Sequence, residues 1–497
     1  MTRFLMVWGT SSGAGKSWLA TALCRLAARR GVAVRPFKAQ NMSNNARVVA
    51  GLDGLGAEIG AAQYFQALAA GVEPTVDMNP VLLKPERDTA SQVIVHGHVD
   101  AALSRQGWRE RSGALAQAAR ASLARLASDA ELVVIEGAGS PAEINLAPQD
   151  FVNLGCARQA RDLGPLAGLL VTDIDRGGAF AHLYGTWALL PDDLRASLAA
   201  FVLNRFRGDA ALLAPGPADL QRMTGVPVAG VIPLVRGHGL PDEDGLFDPA
   251  PAPSSTGAPA LRIAIVCPPH ISNLDEFEPL RSQPGVELAW VRDVAGLHGA
   301  DWIVLPGSKQ VSGDLAWLRS RGLDAAIARH AAAGGAVLGI CGGLQMLGEA
   351  LIDPDGHDGE PGFNGPGLGL LPLVTRYERA KRVRRARLRF EDARLAWSPW
   401  AGLEATGYEI HCGTTVPHPA MAPPHVALRD DAGEAIGWQA GNVLGVYAHG
   451  LFESPVLLRA LWGRAAPALE DAFERLADIV ERHLDAALLD RLLRGPA

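Results

Sequence analysis

Residues 3–17 read RFLMVWGTSSGAGKS, and this stretch decides the fold of the first part of the chain. An uninterrupted apolar run is followed by a glycine-rich loop that ends in Gly-Lys-Ser before a helix-like segment. Glycines let backbone N–H groups face phosphate oxygens, and the start of the next helix adds a positive field. The order predicts the strand, phosphate loop and helix of a nucleotide-binding domain.

Four residues of this loop are predicted to hold the nucleotide, namely Gly13, Gly15, Lys16 and Ser17. We expect Lys16 to contact the β- and γ-phosphates and the Ser17 hydroxyl to ligate Mg²⁺. The spacing is one residue longer than usual, and Thr10 stands where a glycine is common. The alternative is a glycine-rich turn that binds no nucleotide.

Apolar strands continue on both sides of a seam at Asp248–Pro259, which reads DPAPAPSSTGAP. Pro, Ala and Ser crowd together there without a hydrophobic period, as in a linker. Several strands are continuous apolar runs separated by helix-like segments, which is typical of parallel sheets covered on both faces. The sequence therefore predicts an α/β fold of two tandem doubly wound domains, residues 1–248 and 261–455, joined by a linker at 249–260.

A helical tail is predicted at residues 456–497. Its apolar residues recur at spacings of three to four between Leu476 and Leu492. Such a stripe is usually core, so we expect the tail to pack on the second domain. The alternative is a face that binds a partner.

Composition limits the compartment and the partners. The 497 residues are 48% hydrophobic and 20% charged, with a formal net charge of −7. There is no basic excess to neutralise phosphates, which argues against a general nucleic-acid binder. The five cysteines form no CxxC pair, which favours a reducing cytoplasm over a disulfide framework. No signal peptide or membrane-length apolar run is evident, and no feature indicates the oligomeric state.

With its longer loop, the first domain resembles the dethiobiotin-synthetase branch of P-loop proteins. That resemblance implies that ATP activates a carboxyl group, and Lys38, at the end of the second strand, fits a nucleotide contact. Glu136 ends the strand ELVVIE, where a carboxylate can hold Mg²⁺. Glu58, in a helix-like segment, is a further candidate Mg²⁺ ligand, with ordinary helix surface as the alternative.

Two polar segments are candidate substrate contacts. Asp173 and Asp175 follow another strand and are expected to bind Mg²⁺ or to steer a substrate, with a loop cap as the alternative. The loop KAQNMSNN at 38–45 is poor core material, and its amides and hydroxyls can read a polar ligand. A capped turn is the alternative. The loop residues assigned to the substrate are Gln40, Asn41, Ser43 and Asn44.

Four segments together closely resemble the cobyric acid synthase family of the CobB/CobQ type. They are KAQNMSNN at 38–45, MNPVLLKP at 78–85, EGAGSPAEINL at 136–146 and DIDRGG at 173–178. The resemblance covers most of residues 1–455 in the same order. It implies a corrinoid substrate, which composition alone does not indicate.

The second domain carries AVLGICGGLQ at residues 336–345, a thiol between a strand and a helix with glycines around it. This is a nucleophile elbow, in which the tight turn exposes Cys341 and nearby N–H groups can hold an oxyanion. The segment resembles class I glutamine amidotransferases. That resemblance assigns Gln345, and the backbone of Gly307 in the Pro-Gly-Ser turn, to the glutamine pocket.

A base for the thiol is predicted at His449, after the apolar strand NVLGVY. Most class I domains carry Glu two residues after this histidine, and here that position is Leu451. Cobyric and cobyrinic synthases characteristically lack this Glu, which leaves open what orients the imidazole. His411 is either a substrate contact or a structural histidine.

The resemblance implies an ATP- and glutamine-dependent ligase in cobalamin biosynthesis. Its expected reaction is amidation of the b, d, e and g carboxylates of (adenosyl)cobyrinic acid a,c-diamide, through an acyl phosphate. One alternative is cobyrinic acid a,c-diamide synthase or another glutamine-dependent carboxylate amidase. The alternative from another class is a P-loop switch ATPase, which would have no use for a cysteine elbow.

Overall fold

The structure is a computed structural model that describes residues 1–87, 90–240, 261–359 and 362–495. Internal contacts divide the chain into two compact units. The first unit comprises Met1–Ser43, Val49–Asp244 and Leu469–Ala497, and the second comprises Asn44–Val48 and Gly245–Ala468. The linker predicted at 249–260 lies outside the described residues.

The chain before residue 240 alternates strands and helices. The strands are β1 (Arg3–Gly9), β2 (Val34–Phe37), β3 (Gln40–Met42), β4 (Ala46–Ala50), β5 (Gly56–Gly60), β6 (Val81–Arg87), β7 (Ala90–Val95), β8 (His98–Val99), β9 (Leu132–Glu136), β10 (Leu166–Asp173), β11 (Leu198–Phe206) and β12 (Val228–Pro233). The helices are α1 (Lys16–Arg29), α2 (Ala61–Ala69), α3 (Ala101–Ser104), α4 (Trp108–Ala127), α5 (Leu154–Leu163), α6 (Ala179–Leu189), α7 (Asp192–Arg195) and α8 (Gly216–Thr224). Glu58 lies in β5, so the helix-like interpretation of its segment is wrong.

The first unit is built on a parallel sheet with the strand order β12-β11-β10-β1-β9-β2. Alternate residues of the central strand β1 enter two different apolar clusters: Leu5 and Val7 pack on one face, and Met6 and Trp8 on the other. Both faces are therefore covered, which confirms the doubly wound fold. β1 lies between β9 and β10, so the carboxyl ends of both neighbours border the phosphate loop.

A smaller sheet with the order β3-β6-β7-β8 accompanies the parallel one. β3 pairs in parallel with β6, so Gln40 faces Val81 and Met42 faces Leu83. Part of the predicted polar loop is thus a short strand. The backbone of β3 forms its hydrogen bonds with β6.

The chain after residue 260 forms the second unit and the tail. Its strands are β13 (Leu261–Val266), β14 (Ile271–Ser272), β15 (Val286–Val291), β16 (Trp302–Leu305), β17 (Gly307–Ser308), β18 (Ala336–Ile340), β19 (Ala350–Asp353), β20 (Phe363–Pro366), β21 (Leu373–Phe390), β22 (Glu404–Pro417), β23 (His425–Arg429), β24 (Ala435–Ala440) and β25 (Val443–Val446). Its helices are α9 (Glu278–Arg281), α10 (Val311–Ser320), α11 (Leu323–Ala332), α12 (Gly342–Leu347), α13 (Pro455–Trp462), α14 (Leu469–His483) and α15 (Ala486–Arg494). Within the described residues, every helix is too short or too polar to cross a membrane.

The second unit has a mixed sheet. The strands β15-β13-β16-β18-β25 run parallel, as predicted for an α/β domain. The sheet then continues through β24, β23, β21, β19 and β20, with β22 antiparallel to β21. The long β21–β22 hairpin was not predicted, because its first strand is rich in arginine and contains no continuous apolar run.

Residues 469–497 of the tail, with α14 and α15, pack on the first unit, so the prediction that the tail packs on the second is wrong for them; α13 belongs to the second unit, as predicted. Leu476 and Val480 of α14 are buried in the same apolar cluster as Leu19 and Leu23 of α1. Arginines of α1 also pair with acidic residues of α14, such as Arg25 with Glu474 at 2.8 Å. The apolar stripe was read correctly as core, but periodicity does not say which core it enters.

Candidate active sites

The phosphate loop joins β1 to α1 in a conformation that requires glycine. Gly13 and Gly15 have φ values of +71° and +96°, where residues with a side chain are strained. A Cβ on Gly15 would lie 2.0 Å from Nδ2 of Asn204, and that amide donates to Ala14 O over 3.0 Å. Asn204, which the sequence analysis did not identify, therefore braces the loop from β11.

Lys16 is buried with its ammonium inside this loop. Its Nζ donates to Ser11 O over 2.9 Å and to Gly139 O over 3.1 Å. These contacts hold the ammonium on the inner side of the phosphate loop. The position fits the predicted contact with phosphate oxygens.

Ser17, Lys38 and Glu136 come together at the carboxyl end of β9. Oε1 of Glu136 accepts from Ser17 Oγ over 2.7 Å and from Lys38 Nζ over 2.8 Å, and Oε2 accepts from Gln66 Nε2 over 2.5 Å. Burial alone would raise the pKa of Glu136, but the charge of Lys38 and these hydrogen bonds outweigh it and hold the pKa below its usual range. An ionised carboxylate beside a serine hydroxyl fits Mg²⁺.

Glu58 has a different environment from Glu136. It is 1% exposed and forms an ion pair with Lys84, which is 2% exposed. The alternative of ordinary surface is therefore wrong, and its role as a metal ligand stays a prediction. The described residues contain no cluster of three or more His, Cys, Asp or Glu able to hold a metal ion.

The two aspartates after β10 are paired with arginines. Asp173 contacts Arg205 and Arg176, each at 3.3 Å, and Asp175 pairs with Arg207 at 2.5 Å. Asp173 also accepts from the backbone N–H of Asp175 over 3.0 Å, which is the turn cap considered above. Their predicted contact with substrate would place arginines next to substrate carboxylates.

Two amide oxygens of the polar loop have no hydrogen-bond partner among the described residues. Gln40 Oε1 and Asn44 Oδ1 are buried and accept no hydrogen bond from the described residues. Asn41 Nδ2 donates to Gln63 Oε1 over 3.1 Å, and the backbone N–H of Ser43 donates to Leu83 O over 3.0 Å. Buried acceptors of this kind normally meet a ligand or water. Gln40, Asn41 and Ser43 belong to the first unit, whereas Asn44 belongs to the second.

Cys341 stands at a strained turn between β18 and α12. Its φ of +53° is rare for a residue with a side chain, and its N–H donates to Val446 O over 2.7 Å. A Cβ on Gly343 would lie 2.0 Å from Leu305 O, and one on Gly342 would lie 2.8 Å from Ser308 N. This is the geometry of the predicted nucleophile elbow.

We expect Gly343→Ala to disrupt the elbow. The added methyl group would displace the carbonyl of Leu305, so glutaminase activity should fall about 10²-fold and the melting temperature should drop. Steady-state glutaminase assays and thermal unfolding measure both effects. In the matched variant Gly113→Ala, within α4, the Cβ meets nothing within 4 Å; activity should be unchanged, and the melting temperature should stay the same or rise because alanine favours the helix. Normal activity in Gly343→Ala would show that the elbow tolerates a shift.

His449 is buried beside the thiol. Nδ1 of the ring donates to Oε1 of Glu276 over 3.0 Å, and the ring lies near the Cys341 thiol, whose Sγ donates to Ile410 O over 3.4 Å. Burial would lower the pKa of His449, but the charges of Glu276 and Cys341 and their hydrogen bonds raise it to about 10. The histidine is therefore able to take and keep the thiol proton.

Glu276 is the carboxylate that orients this imidazole. Its side chain is fully buried, and Oε2 accepts from the backbone N–H of Gly450 over 3.1 Å. It lies in the short 3-10 turn Leu274–Phe277, far from His449 in sequence. Glu276 was not predicted from the sequence. The one feature that could have indicated it is an acidic pair between two apolar residues soon after β13. Leu451 is buried and takes no part in orienting the ring.

Gly307 and Gln345 lie close to the dyad. A Cβ on Gly307 would lie 3.2 Å from Cε1 of His449, so this turn approaches the imidazole closely. Gln345 is buried, donates to Cys412 O over 2.9 Å and accepts from Tyr377 Oη over 3.2 Å. Both positions fit the predicted glutamine pocket, and their contact with glutamine stays a prediction.

His411 faces a separate cavity. It pairs with Glu409 at 3.2 Å, stacks on Tyr447 with ring centroids 3.7 Å apart, and lines a cavity of about 260 Å³ with Arg382 and Glu434. Burial lowers the pKa of His411, with the charge of Glu409 opposing it. These contacts favour the structural interpretation of this histidine.

Three of the other cysteines lie in an environment that keeps the thiol neutral. Cys24, Cys156 and Cys267 are buried, and burial raises the pKa of each thiol above its usual value. A neutral buried thiol is a poor nucleophile. Cys341 differs from these three cysteines because it lies at a strained turn beside a histidine.

Two family models match the chain. One is described as the CobQ/CobB/MinD/ParA nucleotide binding domain and matches residues 5–238. The other is described as the CobB/CobQ-like glutamine amidotransferase domain and matches residues 262–456. The first match contains the phosphate loop, and the second contains Cys341 and His449.

Curated relatives match the chain over nearly its full length. A protein of Leptothrix cholodnii named cobyric acid synthase is 61% identical over 99% of this chain and 97% of its own. Proteins of the same name from Methylibium petroleiphilum and Polaromonas sp. are 60% and 56% identical, over 99% and 100% of this chain and 97% and 99% of their own.

Proposed function

Because the chain belongs to the cobyric acid synthase family, we propose that it makes cobyric acid by amidating four carboxylates of one corrinoid. The substrate is (adenosyl)cobyrinic acid a,c-diamide, and the carboxylates are b, d, e and g. ATP activates each carboxylate, and glutamine provides the nitrogen. The observation that carries this proposal is the presence in one chain of a phosphate loop and a buried Cys341–His449–Glu276 set.

The second unit releases ammonia from glutamine in this proposal. His449 takes the proton of Cys341, and the sulfur attacks the side-chain carboxamide of glutamine. The resulting imidazolium gives its proton to the leaving nitrogen, and ammonia departs. Water then attacks the thioester, which releases glutamate and restores the thiol. Glu276 holds the ring in place and balances its charge through both proton transfers.

The first unit activates the carboxylate. Oxide is a poor leaving group, so a carboxylate resists attack by ammonia until a phosphoryl group from ATP converts it to an acyl phosphate. Lys16 binds the transferred phosphate, and Lys38 neutralises Glu136 at the end of β9. Ser17 and Glu136, with Glu58 as a further candidate, would hold Mg²⁺, which supplies charge neutralisation at the phosphates. Gln40, Asn41, Ser43, Asn44, Asp173 and Asp175 are proposed to bind the corrinoid side chains.

Product analysis tests the proposal. After incubation of the a,c-diamide with ATP, Mg²⁺ and glutamine, mass spectrometry should show four successive amidations. A second incubation uses cobyrinic acid in place of the a,c-diamide. Amidation of only its a and c carboxylates would favour the sister a,c-diamide synthase. No mass change with either corrinoid would contradict the proposed substrate while leaving glutamine hydrolysis to be assayed separately.

Removal of the charge on Glu276 should alter the pH dependence of glutamine hydrolysis. In Glu276→Gln the amide still accepts the hydrogen bond from His449, but it no longer favours the protonated ring. The pKa of His449 should therefore fall from about 10. The alkaline limb of the glutaminase pH profile should move toward neutral pH, with a rate loss of about 10²-fold.

The pH–rate profile of glutamine hydrolysis checks this expectation. Glu287→Gln is a suitable control. Glu287 lies on β15, is half-exposed and contacts Arg262 of β13. An alkaline limb that stays in place in Glu276→Gln would show that Glu276 does not set the charge of His449.

A further inference from the structure

Arg47 is a buried guanidinium that the reaction described above does not use. It lies in the segment Asn44–Val48, which belongs to the second unit although the nucleotide-binding match covers its sequence. The side chain is 2% exposed. Long cationic side chains are almost never buried to this extent without a specific partner.

One path of contacts leads from Arg47 to the face of the catalytic imidazole. Nη1 of Arg47 donates to the hydroxyl of Tyr408. The Tyr408 ring stacks on His449 with centroids 5.2 Å apart and an interplanar angle of 17°. The backbone N–H of His449 also donates to Tyr408 O over 2.9 Å. Arg47 thus fixes the residue that sets the plane of the imidazole.

A second path leads through carboxylates. Nη2 of Arg47 pairs with Asp275 and, at 2.5 Å, with Glu453. Asp275 is adjacent to Glu276, whose own carboxylate holds Nδ1 of His449. Three carboxylates therefore lie around Arg47 and repel one another; Asp275 and Glu276 are buried, whereas Glu453 is partly exposed.

The balance of charge in this group depends on Arg47. Burial raises the pKa of Asp275, and the charge of Arg47 opposes that rise. Burial also raises the pKa of Glu453 to about 7, again against the charge of Arg47. The other ionisable groups that face the cluster are Tyr408, His449 and Cys341. Arg47 and the imidazolium of His449 are the cations among these groups.

We propose that Arg47 is a positioning residue for glutamine hydrolysis. Its charge compensates Asp275 and Glu453, so that Glu276 serves as the negative partner of His449, and its hydrogen bond holds Tyr408 against the imidazole. The inference rests on the proposed glutaminase function of Cys341 and His449. It means that a residue from the sequence of the nucleotide-binding domain completes the glutaminase site.

The test compares Arg47→Met with Arg47→Lys in the full-length protein. Methionine keeps much of the side-chain length but removes the charge, so a carboxylate of the cluster should hold a proton up to higher pH. Glutaminase kcat should fall about 10²-fold, and the acid limb of its pH profile should move upward. Lysine restores the charge but cannot contact Tyr408 and the carboxylates with two separate nitrogens. The kcat of Arg47→Lys should therefore be about tenfold above that of Arg47→Met. Amidation with ammonium salts should persist.

A compensating substitution separates a charge effect from a folding effect. Glu453 is the most exposed carboxylate of the cluster, at 34%. In Arg47→Met/Glu453→Gln, one negative charge is removed together with the positive one, and glutaminase activity should rise about tenfold above that of Arg47→Met. A purely structural role for Arg47 predicts no such rescue.

Arg385→Met is the matched control, because the exposed Arg385 donates to Val48 O over 3.2 Å in the same segment. It should keep glutaminase activity within about twofold. The inference is overturned if Arg47→Met hydrolyses glutamine as the unaltered protein does, or if its loss is matched by an equal loss of ammonium-dependent amidation without rescue by Glu453→Gln. An unaltered protein that hydrolyses no glutamine would instead overturn the proposed function.

Discussion

In Cys341→Ala, glutamine-dependent amidation should fall at least about 10³-fold while amidation with ammonium salts continues. The thiol is the group that attacks the carboxamide of glutamine, and alanine offers no replacement. The phosphate loop lies in the other unit and is built from its own contacts, so it should still activate the corrinoid carboxylate. Added ammonium supplies a small fraction of free ammonia near neutral pH, which can attack the activated carboxylate.

The measurement is the rate of corrinoid amidation with glutamine and with ammonium salts, side by side. Cys267→Ala is the control, because burial keeps this thiol protonated and it lies outside the elbow. It should leave both rates within about twofold of the unaltered protein. If Cys341→Ala abolished activity with ammonium as well, the division of labour between the two sites would be wrong.

In Lys16→Met, amidation should fall about 10²- to 10³-fold with either nitrogen source. Lys16 is buried with its ammonium in the phosphate loop, and methionine fills much of the same space without the charge. ATP would lose the cation that stabilises the transferred phosphate. Glutamine hydrolysis depends on Cys341, His449 and Glu276 in the second unit and should continue.

The result is read from three assays on one preparation: amidation with glutamine, amidation with ammonium, and glutamate release. Glutaminase activity in the same sample shows that the protein is folded and serves as an internal control. Full amidation in Lys16→Met would mean that this loop does not bind the reacting nucleotide. Loss of the glutamine-dependent reaction alone would mean that Lys16 supports the supply of ammonia from glutamine and not the activation of the carboxylate by ATP.

Local motifs were predictable because they are encoded within a few residues. The phosphate loop requires glycines at positive φ, and Gly13 and Gly15 adopt it. The elbow requires glycines beside Cys341, and the close contact of Gly343 with Leu305 shows why. Each motif is bounded by strands that read as apolar runs, so the two α/β units were also predictable.

Features that depend on distant residues were not predictable in the same way. Glu276 and His449 are brought together only by the fold, and no periodicity relates them. Arg47 was passed over because it follows a polar loop in the sequence of the other domain. The apolar stripe of the tail was evident in the sequence. Its packing on α1 also involves ion pairs between acidic residues of α14 and arginines of α1, which are far apart in the sequence.

The central claim is that the nitrogen added to the corrinoid comes from the side-chain amide of glutamine, released by attack of Cys341. Incubation of the a,c-diamide with ATP, Mg²⁺ and glutamine that carries heavy nitrogen in its side-chain amide tests it most directly, with unlabelled ammonium added only to the Cys341→Ala sample. The account predicts four amidations by mass spectrometry, each carrying the heavy label in the unaltered protein and none carrying it in Cys341→Ala. Amide groups without the label in the unaltered protein, or labelled amides in Cys341→Ala, would contradict it.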